Sequence, residues 1–326
     1  MQPSEAYAAE VSAMDILNAF TVDVEDYYQV SAFERHVDRD HWDRWESRVV
    51  ANTHRILRLL EKHHVRATFF VLGWTGHKYP HLVRDIHRSG HEIGSHSYWH
   101  RLVYDLSPEE FLADLRLSRD VLQNAIGEPV TAYRAPSFSI TKRSLWALEI
   151  LAEEGFRVDS SVFPIYHDRY GIPGAEPRLH RIATRRGALW EFPAAVVRLA
   201  GMNVPVGGGG YFRLYPLRWS IYCLKRINRV AREPFVFFVH PWEIDPEQPR
   251  IPAASRKSRL RHYVNLKKNE KKLGELLEAF RFGPLGDVVA QRGGRNAVAK
   301  ALPGHVEGAV ELALPPDNAR TEASKP

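Results

Sequence analysis

The chain has 326 residues, 44% hydrophobic and 11% aromatic, enough to bury a sizeable core as one large domain or two modest ones. Its single cysteine, Cys223, excludes an internal disulfide and a cysteine-based zinc site, so any metal must rest on histidines and carboxylates. The formal charge of +6 draws much of its excess from Arg250 to Lys272, where nine basic residues face one glutamate. Such a run is either a solvated helix face or a surface that attracts an anionic polymer or membrane. It gives no sign of a nucleic-acid module, which needs basic residues interleaved with aromatics on one face.

Residues 1–16 read as a disordered leader. They hold Glu5, Glu10 and Asp15 but no Lys or Arg, and so lack the basic start of a signal peptide. No apolar run approaches the roughly 20 residues of a spanning helix. A cytoplasmic location is the expectation, with association with a membrane-bound biosynthetic machinery left open. Ile16 to Val24 reads as a buried strand that ends in an acidic cluster, Asp23, Glu25 and Asp26. Three carboxylates this close repel one another and are costly unless a cation or an arginine sits among them. A solvated turn is the plain alternative, and the flanks Phe20 to Val22 and Tyr27-Tyr28 count against it.

Helical periodicity runs from Ser47 to Leu60, followed by the β-rich run Ala67 to Leu72, a short helix through Ile86, and a strand at His91 to Gly94. Pro108 opens a helix with Glu109 and Glu110 in its first turn, ending near Ile126-Gly127. Val130 to Arg134 reads as a strand, Thr141 to Glu154 as a helix, and Phe156 to Asp159 as a strand. This alternation predicts a parallel sheet with covered faces, whose functional residues gather at the carboxyl ends of the strands.

Three His-x3-His pairs occur: His77/His81, His87/His91 and His96/His100. On one helical turn such a pair aims two imidazoles at one point. The first two pairs flank the apolar positions Leu82, Val83 and Ile86 and read as solvated surface histidines. His96/His100 differ because unusual polar residues recur at other strand ends: Asp23 to Asp26, Arg134, Asp159, and His240 after the apolar strand Phe235 to Val239. Each alone has an ordinary structural reading. Their recurrence at one rim is what chance explains poorly.

Thr21 to Asp26, His96 to His100, Arg134-Ala-Pro-Ser-Phe-Ser139, Asp159 to Phe163 and Phe238-Val-His240, in that order, resemble the motifs of the polysaccharide deacetylases, carbohydrate esterase family four. Gly208 to Arg213 and Ser258 to Leu266 further resemble a bacterial subgroup tied to exopolysaccharide biosynthesis and exosortase systems. The resemblance implies an α/β fold, a distorted (β/α) barrel with fewer than eight regular strands, spanning residues 17–287 with a C-terminal extension from about 164. It implies metal-dependent removal of N-acetyl groups from the amino sugars of a polysaccharide. His96, His100 and one carboxylate, Asp26 in preference to Glu25, would hold a divalent metal, Zn2+ first, with Co2+, Mn2+ or Ni2+ as alternatives. Asp23 would be the general base, kept ionised by Arg134; His240 would be the general acid, with Asp159 as its partner. Tyr133, Pro136, Phe138, Phe163 and Trp242 would line the substrate groove. The first motif departs from the family's adjacent aspartates by reading Asp-Val-Glu-Asp, which leaves the choice between Glu25 and Asp26 open.

After Asp159, prolines and glycines mark an irregular stretch, with Gly207 to Gly210 as a turn beside the groove. Val264 to Phe280 reads as a packed helix, and residues 288–326 as a disordered tail. Two other functions stay open: a ring-opening amidase of small cyclic amides on the same barrel, and a carbohydrate-binding protein without catalysis. The presence of Asp23, Arg134 and His240 argues against the second, since binding alone needs no acid and base.

Overall fold

The computed structural model describes residues 16–167, 169–251, 256–293 and 299–301. The expected leader, apart from Ile16, and the tail from 302 lie outside the described residues. The strands are β1 (Leu17–Val24), β2 (Thr68–Val71), β3 (Glu92–Ser95), β4 (Ala132–Tyr133), β5 (Val158–Asp159), the hairpin β6 (His180–Thr184) and β7 (Gly187–Glu191), the hairpin β8 (Val196–Leu199) and β9 (Met202–Pro205), β10 (Val236–Val239), β11 (Arg281–Gly283) and β12 (Ala299–Ala301). The sheet order is β10-β1-β2-β3-β4-β5-β7-β6-β12, with β11 added to β1. All pairings in it are parallel except β6 with β7. Past β7, Ala194 bridges Val236 of β10 in parallel, so β1, β2, β3, β4, β5, β7 and β10 come round into a closed path. Closure with one strand fewer than a regular eight-stranded barrel is the architecture expected from the motifs.

The central strands are buried on both faces, which is why β1, β2 and β10 read as continuous apolar runs and not as alternations. Helices Val49–Lys62, Pro80–Arg88 and Pro108–Ile126 cover the outside through Ile56, Leu60, Leu82, Ile86, Phe111 and Leu115. Ser107 and Glu110 form a capping box at the start of the third, and Gly127, at φ 76°, ends it.

Several local expectations shift. The helix after β4 begins at Trp146 and not at Thr141, because Ser144 Oγ accepts the Thr141 N–H and donates to Ser139 O, holding a turn there. The stretch after Asp159, expected to be irregular, contains the two hairpins and the helices Gly209–Leu214 and Leu217–Arg226. Its strands are short and half-exposed, so no clean period marks them in the sequence. Gly208 sits at φ 130° against β10, where an added Cβ would meet Phe238 O at 1.9 Å. The glycine run is thus a backbone-to-backbone contact with the barrel, and only its last two residues, Gly209 and Gly210, reach the cleft. At the C-terminal side, the helix Leu285–Gly293 packs Leu285, Val288 and Val289 against Ala19 and Val236, beyond the expected edge at 287.

Candidate metal and catalytic centre

The parallel barrel brings the carboxyl ends of β1, β3, β4, β5, β7 and β10 to one rim. Asp23 and Glu25 come from the end of β1, His96 from the residue after β3, Arg134 from the residue after β4, and His240 from the residue after β10. Asp23, Glu25, His96, His100 and Arg134 are all nearly completely buried.

Glu25, His96 and His100 converge, with one ligand atom from each lying within 4.8 Å of the others. Glu25 Oε2 lies 2.7 Å from His100 Nε2, an ion-pair contact, and this buried oxygen accepts no hydrogen bond of regular geometry. His96 Nδ1 donates to Arg134 O at 2.8 Å, which leaves Nε2 unprotonated and turned to the cluster. Burial pushes the His96 imidazole down to about 4, so it is neutral at physiological pH. Burial raises the Glu25 carboxyl, but His100, His240 and His96 outweigh it and bring it to about 2. Two neutral-capable imidazoles and an ionised carboxylate with an orphaned oxygen are a donor set that fits a divalent metal.

His96 and His100 are joined by a loop, not by the helical turn expected from their spacing. Ser97 and His100 have positive φ, 67° and 52°. The loop is held by Asp114 of the helix Pro108–Ile126, whose carboxylate accepts from Ser97 Oγ, from Tyr98 N at 2.7 Å and from Trp99 N at 3.1 Å. Of the other histidine pairs, His77 and His81 are exposed as expected. His91 is not a surface residue: it is buried against Phe69 and its Nδ1 accepts the Ala67 N–H at 3.1 Å.

Asp26, the carboxylate favoured from sequence as the ligand, is not in the cluster. Its oxygens accept from Ser47 Oγ at 2.7 Å, Arg48 N at 3.0 Å and Val49 N at 3.2 Å, at the start of the helix Val49–Lys62, and from Tyr27 N at 3.2 Å. The chain turns after Glu25, and that turn sends Asp26 away from the rim to cap a helix.

Asp23 Oδ1 accepts from Arg134 Nη1 at 2.7 Å, and Asp23 Oδ2 lies 3.7 Å from His240 Nε2. Arg134 is fixed on its other side by Thr21 Oγ1, Ser160 O and Ser160 Oγ, and lies over the Phe70 ring at 4.4 Å. Each nitrogen of this fully buried guanidinium donates at least one hydrogen bond, and the one to Asp23 occupies Oδ1 and leaves Oδ2 turned toward His240.

His240 is oriented by Glu243, not by Asp159. Glu243 Oε1 accepts from His240 Nδ1 at 2.7 Å, and Glu243 Oε2 accepts from Arg213 Nε at 2.7 Å. Arg213 is itself buried and bonded to His262 O at 2.6 Å and Val264 O at 3.1 Å. Burial disfavours the His240 imidazolium, but Glu243, Glu25 and Asp23 outweigh it and raise the group to about 9. Asp159 instead accepts from Ser161 Oγ and sits against Glu191; burial raises both carboxyls, and the neighbouring Asp159 raises Glu191 further, while the hydrogen bond from Glu191 pulls Asp159 the other way. Glu243 escapes a sequence reading focused on known motifs, and Arg213 enters it only as the end of the Gly208 to Arg213 motif, with no role at the site. The signal available for Glu243 is its position three residues past His240, the spacing of a capping box, which it forms.

A cleft of about 440 Å³ opens over these groups, lined by Asp23, Glu25, His96, His100 and His240 and by aromatic residues that include Phe138, Phe163, Tyr170, Tyr211 and Trp242. Of the expected groove residues, Phe138, Phe163 and Trp242 therefore line it. Tyr133 does not: it is packed between Phe111 and Phe156 in the core, because its strand turns that side chain away from the rim. Pro136 is buried and is not among the lining residues. Trp242 also stacks on His240 at 5.1 Å and donates from Nε1 to Glu25 Oε1 at 3.2 Å.

Residues 41–157 match the family described as polysaccharide deacetylase. That segment, about a third of the chain, is what resembles the polysaccharide deacetylase family. Residues 160–290 match a domain of unknown function, DUF3473. The site draws on both segments, His96, His100 and Arg134 from the first, Arg213, His240 and Glu243 from the second. The chain is 34% identical over 98 residues to a peptidoglycan-N-acetylglucosamine deacetylase of Bacillus cereus, covering 30% of this chain and 36% of that protein. It is 36% identical over 86 residues to the peptidoglycan-N-acetylmuramic acid deacetylase PdaC of Bacillus subtilis, covering 26% of this chain and 18% of that protein. The alignments thus span less than half of these relatives' own length. A Mycobacterium smegmatis crystal structure named for the polysaccharide deacetylases superposes with a TM-score of 0.58 at 18% identity, covering 88% of this chain and 94% of that one. That likeness establishes the shared fold.

Proposed function

We propose that this protein is a metal-dependent hydrolase that removes N-acetyl groups from the amino sugars of a bacterial polysaccharide, an exopolysaccharide in particular. The observation that carries the reading is the convergence, at one end of an aromatic cleft, of the Glu25/His96/His100 donor set with Asp23 and His240 beside it, their side chains 3.7 Å apart. The restriction to exopolysaccharide rests on the motif wording around Gly208 to Arg213 and Ser258 to Leu266.

Glu25, His96 and His100 would hold the ion, with Zn2+ the best match to two imidazoles and a carboxylate. When bound, a divalent metal supplies Lewis-acid polarisation of the acetyl carbonyl and makes water a stronger nucleophile near neutral pH. Asp23 Oδ2 takes a proton from the attacking water while Arg134 keeps the other oxygen occupied. His240, protonated at neutral pH and with Nδ1 tied to Glu243, presents Nε2 to the cleft. It gives that proton to the sugar nitrogen as the C–N bond breaks, since an amine leaves poorly without one. The water oxygen ends on the acetyl carbon, and the products are acetate and a free amino sugar. Phe138, Phe163 and Trp242 offer apolar faces to the sugar rings.

The test is acetate release from N-acetylglucosamine oligomers and from acetylated bacterial exopolysaccharide, by protein stripped of metal and reloaded with Zn2+. Release that depends on the metal is expected. Absence of release from every N-acetylated polymer by the metal-loaded protein would overturn the proposal.

A further inference from the structure

From Phe192 to Arg232 the chain contains no Asp or Glu and seven arginines and lysines. The helix Leu217–Arg226 and the turn that prolongs it to Ala231 lie in this stretch. Ser220, Cys223, Leu224 and Asn228 form their buried side. Arg218, Trp219, Tyr222, Arg226 and Val230 recur at three- and four-residue steps on the opposite side. That side is unusually apolar for a cationic surface: Tyr222 is 56% exposed and Val230 71% exposed, and Tyr222 stacks on Trp219 at 6.0 Å. Among the described residues, Arg218, Lys225 and Arg226 have no carboxylate within ion-pair distance.

The surface continues toward the cleft. Leu214 is exposed at the end of the helix Gly209–Leu214, and Leu260 is exposed on the helix Arg256–Tyr263 beside Arg259 and Arg261. Buried Arg213 joins these two helices by donating to Arg261 O and His262 O. Residues 248–269, which include the second helix, again contain no Asp or Glu.

We propose that this face docks on an anionic lipid bilayer, with Trp219 and Tyr222 entering the headgroup region and Arg218, Lys225 and Arg226 facing acidic headgroups. Tryptophan and tyrosine settle at the membrane–water boundary because one end of each ring is apolar and the other polar. Cations beside them are drawn to an anionic leaflet. Charge complementarity selects this occupant. A second copy in a two-fold contact would set these cations against themselves, and a neutral sugar chain would leave them unmatched. Among the described residues no helix is long and apolar enough to cross a membrane, so the contact is peripheral. Gly209, Gly210 and Tyr211, in the short helix that leads into Leu217–Arg226, line the cleft, so docking brings the cleft mouth beside the lipid surface.

The experiment is co-sedimentation of the full chain with vesicles of phosphatidylcholine containing phosphatidylglycerol, and with vesicles of phosphatidylcholine alone. Binding to the anionic vesicles alone is expected, with release by salt. Replacing Arg218, Lys225 and Arg226 together by Gln should lower partitioning by about a hundredfold, at about fivefold per cation. Trp219→Ser with Tyr222→Ser should also weaken it, while Lys62→Gln with Arg88→Gln, on other helices, should not. Circular dichroism confirms that each variant is folded. The proposal fails if the chain ignores anionic vesicles, or if either set of variants on this face binds as the unaltered chain does. It also fails if sedimentation velocity shows a dimer that the triple variant dissociates.

Discussion

Replacing Asp26 by Asn should cost stability and spare the metal, and replacing Glu25 by Gln should do the reverse. Asp26 is 1% exposed and its two oxygens serve four donors: Tyr27 N, Ser47 Oγ, Arg48 N and Val49 N. Asparagine offers one oxygen, and its amide nitrogen would face donors, so at least one of the four, Tyr27 N or the pair Ser47 Oγ and Val49 N, loses its acceptor. A lost cap costs about 1 kcal/mol and a buried donor left unpaired about 1–3 kcal/mol. Against this, burial pushes the Asp26 carboxyl up to about 6, so above that pH the anion bears a desolvation cost that the amide avoids. The net loss should be about 1–3 kcal/mol, or roughly 2–5 °C in the melting temperature of metal-free protein of this length. The pH dependence has a definite sign. Because the folded value is raised, the contribution of Asp26 is full below its unfolded value and falls as pH rises through about 6, so the gap to the Asn variant should narrow over that window. Metal content by mass spectrometry, beside thermal melts of the apoproteins at two pH values, reads both effects. An Asp26→Asn protein that loses its metal while its apo melting temperature stays unchanged would refute the assignment of Asp26 as a cap and Glu25 as a ligand.

His240→Ala should keep its metal and lose turnover by about 10²- to 10⁴-fold, the usual range for a general acid or base; equal loss of metal would make it a ligand. Glu243→Gln should lower turnover with metal retained, and shift the alkaline limb of the pH–rate profile downward, since it removes the charge bonded to His240 Nδ1; an unmoved limb would separate Glu243 from the acid step. His91 is pushed down to about 4 by burial and, secondarily, by Arg66, so it stays neutral in the fold while the unfolded chain takes up a proton. Stability should therefore fall as pH drops from about 6.5 to 4, and His91→Gln should flatten that slope in urea unfolding. Chelation should abolish acetate release and Zn2+ restore it, because the remaining groups at the rim offer no comparable electrophile; activity in verified metal-free protein would break the mechanism.

The sequence by itself determined a parallel sheet with covered faces and its working end, and closure into a barrel was what the family resemblance implied. Alternating apolar runs and amphipathic helices leave few topologies, and a parallel barrel forces Asp23, His96, Arg134, Asp159 and His240 to one rim whatever the details of the helices. Strongly periodic segments, such as Pro108–Ile126 with its Ser107/Glu110 capping box and Gly127 stop, carry their own boundaries. Tertiary structure decided the partners. Whether Glu25 or Asp26 faces the cluster depends on where the chain turns after β1, and the donors at Ser47 to Val49 that claim Asp26 lie more than twenty residues away. Asp159 lost the role of partner to His240 because β7 sets Glu191 beside it, while the short turn after β10 folds Glu243 back onto the imidazole. His96 and His100 meet through a loop whose shape is imposed by Asp114 on a neighbouring helix, so their spacing was informative for a reason other than helical geometry. Tyr133 reads as a groove aromatic in sequence and is a core residue in the fold, since a two-residue strand gives no pattern from which to tell its faces apart. The half-exposed hairpins and short helices after Asp159 had no period strong enough to read, yet they supply Arg213, the residue that fixes Glu243. Local pattern reports what a segment buries, and only the packed structure decides which distant donor a buried charge will find.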